Sequence, residues 1–569
     1  MRVLRPKVLR PFVLTLVLLA ALSSASKAAE ATPDAGSLNS LAAESYPDLN
    51  QTENNFLRAT ASGETMLAGD VKDDKDPKND PANADLLNWK RDRSVRADLI
   101  RWLCENRDAG KLVSANGIQL ESAWIDGDLD LSHVIIPFPL ILTKCNIPDG
   151  IKLNSSELPL LILVGSHTGA INARGVVVRS DVLLSNEFHS TGKVDFYGAK
   201  IGGDFYCAQA TFSNPGKEAL SIELASVDGG ASLDQGFQSD GIVRMTGATI
   251  NGYLSMDHAK FATDAENGLD ARGMKLDGEF QWTNVEHSPS TILDLSYANV
   301  STFKDDEKSW PNSGHLSIDG FVYGAIDGLT NTMNPREVTR RLDWIRRQAG
   351  FSPQPYQELA VVLRQGGRDG DATQVLIAKE VDMREYVAQG TVGSASSSPG
   401  RRTAAPNSGA DASTASANAM ARPRWSRGWV KGLLTRFVGF TLWITIDYGY
   451  QPLRALWWIV GFVIAGALIF RWGYRTGIVL PSDHSAFEVF SKSGTLPENY
   501  PAFNSFVYSL ETFLPLVELY QAKYWTPARL TGGRRSPRLL RIYLWIHILL
   551  GWFFALMLAA GLSGLVRAT

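Results

Sequence analysis

The sequence is poor in the residues that build reactive or metal centres. Its 569 residues hold three cysteines, Cys104, Cys145 and Cys207, and eight histidines. So small and odd a cysteine count excludes a disulfide framework, and no Cys-x-x-Cys or Cys/His group has metal-ligand spacing. Cys145 and Cys207 fall where small apolar core residues are expected. The histidines stand singly at 133, 167, 189, 258, 287, 315, 484 and 547. There is no phosphate-binding glycine loop, dinucleotide fingerprint, His-Glu-x-x-His pair or Gly-x-Ser-x-Gly elbow. No cofactor and no metal are expected. Neither sign of charge dominates: 56 Lys and Arg against 59 Asp and Glu leave a net charge of −3. That argues against nucleic acid as a partner, since its binders carry a basic footprint.

What the sequence does have is order along its length. Arg2, Arg5, Lys7 and Arg10 precede an apolar run, Phe12 to Leu22, and then small residues, so 1–29 reads as a signal peptide. Residues 30–85 are polar and are expected to be weakly ordered. Residues 86–106 (LLNWKRDRSVRADLIRWLCEN) read as one amphipathic helix with Leu86, Trp89, Val95, Leu99, Trp102 and Leu103 on one face. With the residues to 117 it would cap the repeats that begin at 118.

From 118 to 325 the chain repeats. VRMTGATINGYLSM (243–256) has apolar residues alternating on either side of Ala248 and Gly252. Equivalent positions are Val176, Ala199, Ala225, Ala248, Met274, Ala298 and Phe321, at intervals of 23, 26, 23, 26, 24 and 23. A half-register copy falls eleven residues after several of these, at Ala210, Ala259 and Val285. Period-two alternation means strands, and a repeat too small to bury its own core must stack. The expected fold is mainly β: a right-handed parallel β-helix of about nine coils, some 40 Å long at about 4.8 Å per coil. Residues 335–386 read as three helices ending in a hairpin, placed to close the far end. Residues 387–426, rich in Gly, Ser, Ala and Pro, read as a disordered linker.

The remainder, 427–569, reads as an α-helical membrane domain with two transmembrane helices, at about 455–472 and 542–566. Gly551, Ala555 and Ala559 form a small-residue ridge suited to close packing on the first span. Residues 471–541 carry nine Lys and Arg, which suits a cytoplasmic face. That places residues 30–426 on the periplasmic side of a bacterial inner membrane.

Three residues of this domain are candidates for a functional role: Glu511 and Glu518 in the segment between the spans, and His547 within the second span. Carboxylates along the repeats (Asp126, Asp128, Asp130, Asp204, Asp228, Asp277 and Glu279) are the candidates for acid–base chemistry on a polysaccharide. Asp beside Gly is equally ordinary turn chemistry.

The stretch YSLETFLPL (508–516) resembles the pore region of two-transmembrane ion-channel domains. Where that family has Thr-Val-Gly-Tyr-Gly, this chain has Pro515-Leu-Val-Glu-Leu. The repeats of the form Ala199-x-Ile201-x-Gly203-Asp204 resemble pentapeptide-like β-helix proteins. The order of signal, RADLIRWL, repeats, PQPYQELAVVLRQGG and YLWIHILLGW resembles a bacterial membrane protein family that joins such repeats to a two-helix, ion-channel-like domain. The resemblance implies no residue-level site. The expected function is a non-catalytic, membrane-anchored scaffold. Its partners would be the lipid bilayer and a protein or envelope polymer, with self-association through the membrane helices. The alternatives are a channel-like membrane protein and a β-helix carbohydrate-active enzyme.

Overall fold

One coil sets the pattern. His167–Thr168, Ile171–Asn172, Val177–Val178 and Val182–Leu183 are four strands of two residues each. Each pairs in parallel with its counterpart one coil on: His167 with His189, Ile171 with Val194, Val177 with Lys200, Val182 with Phe205. Repeated over about nine turns, 118–326, this gives a parallel β-solenoid with four columns of strands. The computed structural model describes residues 35–69, 76–82, 86–261, 267–327, 335–388, 454–514, 517–528 and 537–562. The expected signal peptide and the expected linker from residue 389 onward lie outside them. Contacts divide the chain into two units, one up to Ala372 and one from Thr373.

The corners explain the repeat. Gly247 is left-handed (φ 65°), and the N–H of Ala248 donates back to the Met245 carbonyl at 3.0 Å. Half a coil later His258 (φ 60°) and Ala259 do the same with Met256. The small residue therefore tucks under a turn that reverses the chain. At Gly252 the reason for glycine is different: a Cβ would meet the Gly229 backbone at 2.6 Å, because successive coils stack backbone on backbone there.

Core volume alternates between coils. Phe188 with Ser190, Ala210 with Phe212, Phe237 with Ser239 and Ala259 with Phe261 exchange large and small at the same two inward positions. The rings form a zigzag stack with centroids 5.5, 5.5 and 6.4 Å apart, and Phe261 continues it onto Trp282 at 5.8 Å. The three cysteines are buried, and burial pushes the Cys104 and Cys145 thiols up to about 12.

Both ends differ from the sequence reading. Residues 30–85, expected to be weakly ordered, contain helices Ala35–Ser45 and Gln51–Ser62 and the strand Met66–Leu67, which pairs with the first coil. Phe56 and Leu57 are fully buried, so the polar composition hid a small amphipathic face. The single helix expected at 86–106 is two helices, Leu86–Asp92 and Ala97–Glu105, split by the strand Ser94–Arg96. That strand pairs with Trp124–Asp126 and supplies the edge the first coil lacks. Glu53, buried, takes the Arg96 guanidinium at 2.7 and 3.0 Å and ties helix to strand.

At the far end, Pro335–Ile345 and Gln354–Gln365 form two of the expected helices; Asp369–Ala388, the third, runs across the division between the units. Their side chains and the turn between them meet the last coil's open edge. Gln348 accepts from the Ile318 N–H (3.2 Å), Gln354 from Gly320 (2.9 Å) and Glu358 from Tyr323 (3.3 Å). Beneath them Arg341 and Asp305 form a buried ion pair at 2.7 Å.

In the second unit, helices Arg454–Arg475 and Arg538–Leu562 are long and apolar enough to cross a membrane. The first continues past the expected end at 472 to Arg475, and the second starts four residues before the expected 542, at Arg538. Residues 563–566 of the expected second span lie outside the described residues. Between the two helices the chain forms an antiparallel pair, Val479–Pro481 with Trp525–Pro527, and the helix Ser505–Phe513.

Candidate functional site

Most of the carboxylates considered for catalysis are engaged in structural contacts, several of them between coils. Asp126 pairs with Lys90 at 3.1 Å and Asp128 with Lys152. Asp130 accepts from the Ser132 N–H at 3.0 Å. Asp204 accepts from the Gly230 N–H at 2.7 Å, while its own N–H donates to Asp181. Asp228 accepts from the Asn251 amide, and Glu279 pairs with Lys304 at 3.6 Å. Asp277 is exposed. The polar outer face carries an ionic ladder instead, from Arg174 through Asp195, Lys193, Glu218, Arg244, Asp270 and Arg272 to Asp294. Opposite charges alternate along the chain of contacts, four basic against four acidic, so the ladder neutralises itself.

Coil stacking also brings together two histidines that are 22 residues apart in sequence (189 − 167). His167 and His189 are register partners with ring centroids 5.3 Å apart. Partial burial and the neighbouring His189 hold His167 below its ordinary pKa of 6.5, against the opposing pull of the Asp80 carboxylate. Sequence reading missed the pair because coil lengths vary, so a contact one coil away has no fixed spacing.

In the second unit the helix Ser505–Phe513 packs against both long helices. Glycines permit the approach: a Cβ on Gly466 would strike Ser509 and His547, and one on Gly551 would strike the Phe513 backbone. Gly551 thus seats the inserted helix, where the sequence reading had it seat the first span. His547 is buried against Phe470 and Phe513. Its Nε2 lies 3.2 Å from both the Ser509 hydroxyl and the Ser509 carbonyl, and Nδ1 lies 3.4 Å from the Tyr543 hydroxyl. The Ser509 hydroxyl donates to the Val463 carbonyl at 2.8 Å, so one polar cluster joins all three helices.

Glu511 accepts from the N–H groups of Gln521 (2.7 Å) and Ala522 (2.9 Å), pinning the chain's return beside the helix. Glu518 is exposed. The three candidate residues therefore occupy three separate settings: a clasp, a brace and a free surface.

Outward, both long helices expose large apolar side chains. Trp457, Ile464 and Leu468 line the first, and Trp545, Leu549 and Leu556 the second. At the base of the inserted segment Tyr474, Tyr500, Phe503 and Trp525 form an aromatic cluster. Among the described residues no group of three or more His, Cys, Asp or Glu is placed to hold a metal ion.

These features define the class: a parallel β-solenoid carrying, in a second unit, two helices of membrane-spanning length and composition. No family model, curated protein or solved structure matches the chain.

Proposed function

We propose that the protein is a membrane-anchored scaffold whose solenoid binds a protein or an envelope polymer along its faces. The observation that carries this reading is the stripe of exposed Trp, Leu and Ile on both long helices, in a chain that also builds an end-capped solenoid. Large apolar stripes of this kind need lipid or protein against them. A capped solenoid offers a long, regular surface for binding. The signal-like N-terminus supports a periplasmic solenoid and a bacterial inner-membrane anchor.

Reporters that act only in the periplasm, fused at residue 569 and within 476–500, test the topology. Activity at 569 with silence within 476–500 is expected; the reverse pattern overturns the orientation. Cross-linking of the full-length protein in intact cells, followed by mass spectrometry, tests for a partner. Recovery of a reproducible envelope component along 118–326 supports the scaffold.

The inserted helix favours a second reading, a channel-like membrane domain, because it packs between two apolar helices as a pore helix would. Ion flux into vesicles reconstituted with the full chain decides between them.

A further inference from the structure

We propose that His167 and His189 form a binding site for a divalent first-row transition ion such as Cu²⁺, Ni²⁺ or Zn²⁺. The two imidazoles stand side by side on adjacent rungs of one strand column, held there by backbone pairing of His167 with His189. Two imidazoles bound through one nitrogen each, at about 2.0–2.1 Å from a tetrahedral ion, have ring centres about 5 Å apart. The observed separation is 5.3 Å, with the rings tilted at 53°. The ring separation thus matches that of two imidazoles on one ion before any ion arrives.

The ring nitrogens are also available. Among the described residues neither imidazole has a hydrogen-bond partner, and neither contributes a buried unpartnered nitrogen, so their nitrogens reach solvent. The contrast is with His287 and His547, whose ring nitrogens all lie near hydroxyl or carbonyl oxygens. A histidine kept for structure usually has its second nitrogen fixed by such a partner. Imidazole suits Zn²⁺, Cu²⁺ and Ni²⁺, and affinity should follow the usual order with Cu²⁺ tightest.

The surroundings suit a cation. The rung above presents Asn146, paired with His167, and the rung below presents Thr211, paired with His189. Both are neutral oxygen-bearing side chains. The Asp80 carboxylate, on the loop 76–82 that is tied down by the Ser122 hydroxyl to Asn79 carbonyl bond (2.6 Å), acts on His167 with negative charge. Two protein nitrogens leave the remaining coordination positions to water or to a donor from a bound molecule. The site is therefore open and exchangeable, unlike a closed structural zinc site with four protein ligands.

The test uses full-length protein purified in detergent without a histidine tag and stripped with a chelator. Isothermal titration with Zn²⁺ and electron paramagnetic resonance with Cu²⁺ give stoichiometry and ligand type. One ion per chain is expected, with a Cu²⁺ spectrum showing two nitrogen ligands. His167→Gln and His189→Gln should each weaken binding at least tenfold and leave one nitrogen in the spectrum. Circular dichroism of each variant checks that the β-signal is retained; both side chains point outward, so it should be. Absence of uptake, or uptake unchanged in the folded double variant, overturns the site.

Discussion

At the residue scale, what holds the solenoid is complementarity between coils, and this makes single core changes expensive. Phe212 sits between Phe188 and Phe237, each 5.5 Å away, and opposite its own coil's Ala210. Phe212→Ala should cost about 3–5 kcal/mol, as a lost transfer term plus a cavity. Denaturant unfolding followed by the β-signal checks it. Exchanging the pair, Ala210→Phe with Phe212→Ala, keeps volume but crowds Phe188 and Phe237, and should not rescue. Asp270 makes a second case. Burial alone would raise its carboxyl, but the hydrogen bond and charge of Arg272 and the charge of Arg244 outweigh this and hold it below 3.8. A folded pKa below the unfolded one stabilises above the unfolded value, and the contribution is lost as pH falls through the folded value. Asp270→Asn should therefore lower stability at pH 7 by about 1–3 kcal/mol. It should also flatten the acid limb below about pH 4. Stability measured against pH in both proteins tests the sign. Most core residues were readable in the sequence because inward positions alternate and are mainly apolar, with small buried serines such as Ser190 and Ser239 between the large rings. The ionic ladder and the His167–His189 pair were not, because outward partners depend on the length of each coil, and those lengths vary.

At the element scale the solenoid's weakness is its ends. A bare terminal coil presents a row of unpaired N–H and C=O groups, a template for another chain. Side chains of the capping helix and the turn before it fill that row here: Gln348, Gln354 and Glu358 accept from Ile318, Gly320 and Tyr323. Replacing two of them, Gln354→Leu with Glu358→Leu, leaves two edge donors unsatisfied at about 1–3 kcal/mol each. The variant should associate with increasing concentration in sedimentation velocity where the parent protein does not. The repeat itself was legible in sequence because stacking imposes the same pattern at each coil. The N-terminal cap was not. Ser94-Val95-Arg96 lies inside a segment whose apolar spacing reads as helix, and only the open edge of the first coil, beside Trp124–Asp126, makes it a strand. Tertiary context overrode local periodicity there. In the same way the small-residue ridge at Gly551 and the pore-like segment YSLETFLPL were both visible, but their pairing was not: the ridge seats Phe513 of the helix Ser505–Phe513 and not the first span.

At the scale of the whole molecule, the two units carry surfaces of different chemistry. The unit up to Ala372 turns polar and ion-paired side chains outward, while the long helices of the second unit turn tryptophan, leucine and isoleucine outward. An apolar stripe of that kind calls for lipid or protein against it, which the polar, ion-paired surface of the solenoid does not. In sequence, the Gly-, Ser- and Ala-rich stretch 389–424 lies between the solenoid repeats and the long helices and contains almost no large apolar residue. If that stretch is only a tether, cutting it should free the solenoid without unfolding either part. A specific protease site placed near residue 405 provides the test in isolated membranes. After cleavage the fragment containing 118–326 should move to the soluble fraction with its β-signal intact, and the fragment containing Arg454–Arg475 and Arg538–Leu562 should stay with the lipid until detergent is added. A solenoid fragment that remains in the pellet after cleavage, with the membrane fragment extracted normally, would mean that one of its faces is itself held to the membrane or to a partner there.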